Sequence, residues 1–198
     1  MKNTSFMIFF SLLFISIKIY SFERYELKCP ESLIMKSRVV MMNQVGTLEK
    51  TNRNDGTAIK QYLESVGLSE GYPYCAAGQY FSFLKATELL GMDKKLIPIK
   101  RTGLALEIFH HSKKFGVRTV WHPKIDDLIV WRKANSGFGH IERIISVMPK
   151  GWVRTVAFNT SIIIGNKKIE GVFVKKRNLY HRLYGMTIRG LTGFKTYN

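Results

Sequence analysis

Apolar positions recur with helical spacing in the first half of the chain and with strand-like spacing in the second half. One helical face of apolar residues follows Asp55-Gly56-Thr57 and ends at Gly67, which predicts a first helix. A second such pattern begins near Cys75 and ends at Gly91, a residue suited to a C-cap. A third pattern covers residues 104–115. Three helices are therefore predicted before the strands begin.

From Ile125 onward the chain breaks into short β-rich runs that turn residues separate. The runs cover 128–131, 140–147, 152–158, 161–164 and 171–175. Turns between successive strands favour antiparallel pairing. Because helices come first and strands follow, the sequence predicts an α+β fold with N-terminal helices packed on a C-terminal antiparallel β-sheet.

The N-terminus has the pattern of a secretory leader. Lys2 precedes an apolar run from Phe6 to Ile17, Lys18 ends that run after 12 residues, and Ser21 is small enough for a cleavage site. A membrane span needs about 20 apolar residues. We therefore interpret residues 1–21 as a signal peptide and expect a periplasmic or extracellular protein without a stable membrane span.

The rest of the chain is long enough to bury one core. The 198 residues are 45% hydrophobic and 13% aromatic, and no internal repeat divides them. Residues 22–50 have weak periodicity and are interpreted as a lead-in segment, either ordered or a partly flexible arm. Residues 51–198 are predicted to form a single domain.

The chain is strongly basic, with a formal charge of +17. Cleavage after Ser21 would remove Lys2 and Lys18 from the 31 basic residues and none of the 14 acidic ones, which leaves 29 and 14, or +15. Such a charge favours polyanionic partners. No nucleic-acid-binding motif accompanies the scattered basic residues. Export therefore favours an anionic envelope polymer over nucleic acid.

Cys75 falls in the first turn of the second predicted helix, where free N–H groups and the helix dipole stabilise a thiolate. His140 begins one predicted strand and Asn159 closes another. An imidazole can take the thiol proton, and an amide can fix its tautomer. The sequence thus predicts a cysteine hydrolase with these three catalytic residues. Tyr72 and Tyr74, beside the nucleophile, are the predicted substrate contacts.

Cys29 leaves alternatives open. A disulfide between Cys29 and Cys75 would remove the nucleophile, and a lone Cys75 could also simply pack as a small apolar residue. Cys29 lies in a poorly patterned segment, which favours two free thiols. A lipid anchor at Cys29 is not expected, because Leu27-Lys28 lacks the small residues of a lipoprotein signal.

Neither a metal nor an organic cofactor is predicted. A structural or catalytic metal needs three or four converging ligands. The sequence has no close cysteine pair and no His-Glu-x-x-His element.

Five segments within residues 45–195 carry a family resemblance. They are TAIKQYLESVG, GYPYCAAGQYFSF, KIDDLIVWRK, GFGHIERI and VAFNTS. Their order resembles the CHAP and NlpC/P60 group of papain-like cysteine peptidases and amidases, which cut peptidoglycan. The resemblance implies a papain-like fold with Cys75 as nucleophile, His140 as general base and Asn159 as the residue that orients the imidazole. It also implies an oxyanion site at the backbone N–H of Cys75.

The chain departs from the family pattern at three places, the first of which is Tyr74, where the family often has tryptophan. Asp126-Asp127 stands where a Pro-Gly-Asp turn is usual, and Ala157 stands where many relatives carry a carboxylate two residues before the asparagine. If that acid is essential, activity would be weakened or lost. Glu142 follows His140 on the same strand face, and we expect it to pair with a basic neighbour rather than to join the triad.

Three functions are compatible with this pattern. The first is an exported amide hydrolase that cuts peptidoglycan, either between muramic acid and its stem peptide or within the peptide. The second is a cell-wall-binding module without turnover, which the missing acid at Ala157 or a disulfide at Cys29 would favour. The third is the same hydrolase used as an antibacterial toxin, for which an immunity protein would be the partner.

Overall fold

The computed structural model describes residues 22–198, which form an α+β fold. Its α-helices are α1 (Glu31–Met42), α2 (Thr57–Ser65), α3 (Cys75–Leu90) and α4 (Ala105–Phe115). Its strands are β1 (Glu23–Pro30), β2 (Val117–Thr119), β3 (Leu128–Arg132), β4 (Gly139–Val147), β5 (Trp152–Ile164), β6 (Lys167–Asn178) and β7 (Thr187–Tyr197). The predicted signal peptide, residues 1–21, lies outside the described residues.

The three predicted helices are confirmed as α2, α3 and α4. In α2 the residues that share the apolar face, Ile59, Tyr62 and Leu63, are fully buried. Cys75 is the first residue of α3, and Gly91 follows the helix with φ 62°, a left-handed conformation that glycine adopts without steric cost. Small and flexible residues at the ends of these segments therefore predicted the helices correctly.

Residues 22–50 are an integral part of the fold rather than a flexible arm. β1 pairs in parallel with β7 and antiparallel with β2, and α1 packs against α3. Tyr25, Leu27 and Cys29 alternate along β1 and are buried. This period-two pattern is a strand signal that the charged residues between them obscure.

The strands form one seven-stranded sheet in the order β2-β1-β7-β3-β4-β5-β6. All neighbours are antiparallel except β1 and β7. The predicted runs 152–158 and 161–164 belong to one long strand, β5, whose register against β6 shifts between Ala157 and Thr160. The sheet is thus mostly antiparallel, as expected, but it includes the N-terminal strand.

The sheet has a buried face on each side. The helices cover one face, where the core includes Leu128, Val130, Ile141, Val156 and Phe158. The other face carries a smaller core of Ile129, Trp131, Ile144, Val153, Leu179, Leu183 and Leu191. Burial on both sides fixes the register of β3 and β4.

Two buried aspartates anchor the start of β3. Asp127 accepts two hydrogen bonds from Arg24, at 2.8 and 2.9 Å, which tie β3 to β1. Asp126 accepts from Arg143 of β4 at 2.8 Å and also pairs with Arg38 of α1. Asp126 and Asp127 therefore tie the start of β3 to β1, β4 and α1 by ion pairs.

β4 and β5 separate at one end of the sheet. Their ladder ends at the pair Glu142 and Ala157, so residues 139–141 are not paired with β5. Just beyond Ala157 the backbone of Asn159 turns into the left-handed region, with φ 54°. The two strands therefore leave an opening at this end.

α3 packs onto β5 through a close approach at Gly78. A Cβ added there would lie 2.2 Å from Cδ1 of Phe158, far inside van der Waals contact. The missing side chain lets the first turns of α3 rest directly on the aromatic ring. This contact holds Cys75 near the strand opening.

We expect Gly78→Ala to lower the free energy of unfolding by about 1–3 kcal/mol, because overpacking outweighs the roughly 1 kcal/mol that alanine gains in a helix. Urea denaturation checks this. Gly137→Ala is the control, since a Cβ there meets no atom within 4 Å. An unchanged midpoint for Gly78→Ala would contradict the close approach.

Candidate active site

The structure places Cys75, the predicted nucleophile, at the first position of α3. The first intrahelical bond runs from the N–H of Gly78 to the carbonyl of Tyr74, at 2.8 Å. The N–H groups before Gly78 have no partner within the helix, and together with the dipole they favour negative charge. Cys75 is 4% exposed. Its thiol lies just below the surface, at the start of the helix.

His140 contacts Cys75 and Glu142 at the same time. Its Nε2 lies 3.0 Å from Oε1 of Glu142, and the ring also interacts with the nearby side chain of Cys75. One imidazole therefore bridges a thiol and a carboxylate.

These two contacts set the charge of the imidazole. Burial opposes the charged form, but Cys75 and Glu142 outweigh it and raise the pKa of His140 to about 10. The imidazolium is therefore present at neutral pH and is lost as the pH rises toward that value. A charged imidazole therefore lies beside the Cys75 side chain.

Glu142 is fully buried, and its carboxylate has further partners on neighbouring strands. Thr155 Oγ1 donates to Oε2 at 2.6 Å, and Arg177 Nη2 donates to Oε1 at 2.7 Å. Burial opposes ionisation, but His140 and Arg177 outweigh it and lower the pKa of Glu142 to about 2. The expected basic neighbour is thus confirmed as Arg177. The same carboxylate also reaches His140, which the sequence pattern did not indicate.

Asn159, predicted to orient the imidazole, has a different side-chain partner. Its Nδ2 donates to Oδ1 of Asn54 at 2.5 Å. His140 and Asn159 do line one cleft, but the ring's hydrogen bond is to Glu142, and its other interaction is with Cys75. In this geometry it is Glu142 that contacts the imidazole, while Asn159 joins the bend of β5 to the loop before α2.

The two tyrosines predicted to contact substrate differ in exposure. Tyr74 is fully buried, and its hydroxyl donates to Oε1 of Glu49 at 3.0 Å. Tyr72 is 54% exposed. Tyr74 therefore belongs to the core and offers no surface to a ligand, and substrate contact stays a prediction for Tyr72 alone.

A cleft of about 380 Å³ opens beside His140. This volume is within the range of small-ligand sites. A Cβ at Gly139 would lie 2.3 Å from the carbonyl oxygen of Trp131, so only glycine fits directly before His140. The cleft is lined by Gly139, His140, Asn159, Thr160, Ser161, Lys168, Glu170, Tyr184 and Met186.

Both cysteines are free. Cys29 is fully buried in β1, and burial raises the pKa of its thiol to about 12. A thiol of that kind is inert. The disulfide considered from the sequence is not formed in this structure, and Cys75 keeps its thiol beside His140.

Within residues 22–198, no group of three or more His, Cys, Asp or Glu side chains is placed to hold a metal ion. No helix in the same range is long and apolar enough to cross a membrane.

No family model matches the chain, and no curated protein or solved structure matches it either. The resemblance to the CHAP and NlpC/P60 group therefore stays a prediction. The chemistry of the site is argued below from its geometry.

Glu142 and Arg177 are the residues at the site that the sequence pattern did not assign to it. The His-x-Glu spacing is a usable signal for Glu142, because alternate residues of a strand share a face. Arg177 lies 35 residues further along the chain, and its approach depends on the pairing of β4, β5 and β6. No local pattern indicates that contact.

We expect iodoacetamide to alkylate Cys75 at pH 7.5 and to leave Cys29 unmodified. In Glu142→Gln the pKa of His140 should fall toward its ordinary 6.5, so the thiolate loses its cation and alkylation slows on the order of tenfold. Peptide mass spectrometry measures both rates. Glu170→Gln, at the rim of the cleft, is the control and should react like the native protein. Equal slowing in both variants, or in neither, would contradict the assignment.

Proposed function

We propose that this protein is an exported, papain-like cysteine hydrolase that cleaves an amide bond of peptidoglycan. The observation that carries the proposal is the contact of His140 with both Cys75 and the buried carboxylate of Glu142. Acyl transfer by a thiol needs a nucleophile, a base within hydrogen-bond reach and a group that holds the base. The three side chains supply these roles.

In the proposed reaction, His140 holds the proton of the Cys75 thiol, and the thiolate attacks the carbonyl carbon of the amide. As the C–S bond forms, the carbonyl oxygen becomes an oxyanion, which backbone N–H groups at the start of α3 stabilise. The C–N bond then breaks, and His140 gives its proton to the leaving amine. A water molecule that His140 deprotonates cleaves the thioester and restores the thiol.

Glu142 is a positioning residue in this scheme. Its carboxylate fixes the tautomer of His140 and stabilises the imidazolium. Glu142 also stands directly across the ladder from Ala157, and opposite residues of an antiparallel pair project to the same side. An acid at position 157 would share that space. Glu142 thus supplies the negative charge from the neighbouring strand, so Ala157 is no reason to expect an inactive site.

Peptidoglycan is proposed as substrate on two grounds. The five quoted segments resemble enzymes that cut it, and the charge of +17 favours an anionic polymer. The predicted signal peptide would deliver the protein to that polymer.

A wall-binding module without turnover is the second candidate. Cys75 is only 4% exposed, so a bulky substrate needs some local movement to reach the sulfur. In that case the cleft beside His140 would bind the wall without chemistry.

We expect the purified, reduced protein to release new amino groups from intact peptidoglycan, and Cys75→Ala to release none, because no other side chain replaces the thiolate. Mass spectrometry of the soluble products identifies the bond. Cys29→Ala is the control and should retain turnover. No products from the native protein, with wall binding retained in the native protein and in Cys75→Ala, would favour the binding module.

We expect Glu142→Gln to lower kcat/KM roughly 100-fold or more, because the imidazolium loses its counter-ion. Asn159→Ala should cost less than about tenfold, the scale of one neutral hydrogen bond. The pH profile of kcat/KM adds a second measurement, since only Glu142→Gln should move the alkaline limb to lower pH. A larger loss in Asn159→Ala would instead assign the orienting role to Asn159.

A further inference from the structure

Tyr184 stands at the rim of the cleft that contains His140. It is 78% exposed, and it lines the cleft together with Met186 and the polar residues Thr160 and Ser161. The buried core does not use this ring. An aromatic face at the mouth of a polar cleft is a typical ligand contact.

The backbone conformation at position 184 is unfavourable for a tyrosine. Tyr184 and Gly185 form a two-residue loop with φ 48° and 79°. Leu183 and Met186 close it with two backbone hydrogen bonds of 3.0 and 2.8 Å. Loops with two positive φ angles favour Asn-Gly, and a bulky residue in the first position is strained.

Other described residues that adopt positive φ have small, polar or flexible side chains. Besides glycines they are Asn52, Asn54, Asp126, Asn135, Lys150 and Asn159. Tyr184 is the aromatic exception among residues 22–198. Strain of this kind is retained at functional sites, which directs attention to what the ring contacts.

The cleft is lined by side chains that suit a sugar ring, and its lining also includes the ion pair of Lys168 and Glu170. A pyranose ring has an apolar face of C–H groups, which suits Tyr184 and Met186, and an edge of hydroxyl and acetamido groups, which suits Thr160 and Ser161. His140 lines the same cleft and interacts with Cys75, so a ring bound there would lie next to the Cys75–His140 pair.

We propose that Tyr184 forms a saccharide subsite that stacks against the muramic acid ring of the substrate, so that the bond cut is the amide joining muramic acid to the stem peptide. This inference rests on the proposed function and selects one of its two bonds.

The test compares two substrates with the same scissile amide. One is a muramoyl-tripeptide, and the other is the lactyl-tripeptide, which lacks the sugar ring. We expect Tyr184→Asn to raise KM for the muramoyl-tripeptide roughly two- to tenfold, as the loss of one stacking contact does, with little change in kcat. KM for the lactyl-tripeptide should not change. Tyr184→Phe keeps the ring and should behave like the native protein.

A structural role for Tyr184 predicts a different result. Asparagine suits the first position of this turn, so Tyr184→Asn should keep or raise the melting temperature while it weakens substrate use. Tyr180→Asn is the matched control, because Tyr180 is 66% exposed on the same β6–β7 connection but does not line the cleft. Equal effects on both substrates, or cleavage only within the stem peptide, would overturn the proposal.

A failure of the proposed function can be distinguished from a failure of the saccharide subsite. If the native protein cleaves neither substrate and also releases no amino groups from intact peptidoglycan, the hydrolase proposal fails, and the subsite is tested by titrating the muramoyl-tripeptide into Cys75→Ala. Weaker binding when Tyr184→Asn is added would support the saccharide subsite. Equal or undetectable binding in both variants would overturn it.

Discussion

The candidate site depends on the interactions of the Glu142 carboxylate. A buried charge that loses its partner costs about 3–5 kcal/mol, so the structure must keep its counter-charges in place. Those partners are His140 on the same strand, Thr155 on β5 and Arg177 at the end of β6. The charge of the His140 imidazole therefore depends on the correct pairing of β4, β5 and β6. A sheet that paired in another register would bury the same carboxylate without compensation.

The sulfur reaches the imidazole because the sheet opens where α3 begins. A ladder that continued past Glu142 would close the gap between β4 and β5 beside His140. Gly78 lets the helix settle on Phe158, and Gly139 lets β4 pass close to the carbonyl of Trp131. Two positions without side chains thus fix the distance between nucleophile and base. Small displacements at such a contact are costly for catalysis, since reacting groups must lie within hydrogen-bond reach.

The helices α2 to α4 and the position of Cys75 at a helix start could be predicted from sequence because both signals are local. Amphipathic spacing and glycine stops mark α2 to α4, and a cysteine in a first helical turn is placed by its neighbours. β1 was not predicted, since its partner β7 lies at the far end of the chain. The burial of Tyr74 depends on its distant partner Glu49. Contacts of that kind are properties of the whole fold.

For the charge of the His140 imidazole, the place of a carboxylate relative to the ring matters more than the place of the acidic residue in the sequence. Glu142 follows His140 by two residues and lies on the paired side of the opening, so base and anchor are held by one strand. Asn159 lies on β5, beyond the last paired residue of the β4–β5 ladder, and is bonded to Asn54. A change in the width of the opening would therefore move Asn159 relative to His140 but not Glu142. Because Glu142 and His140 lie on the same strand, the cleft can admit a substrate while the imidazolium keeps its counter-ion.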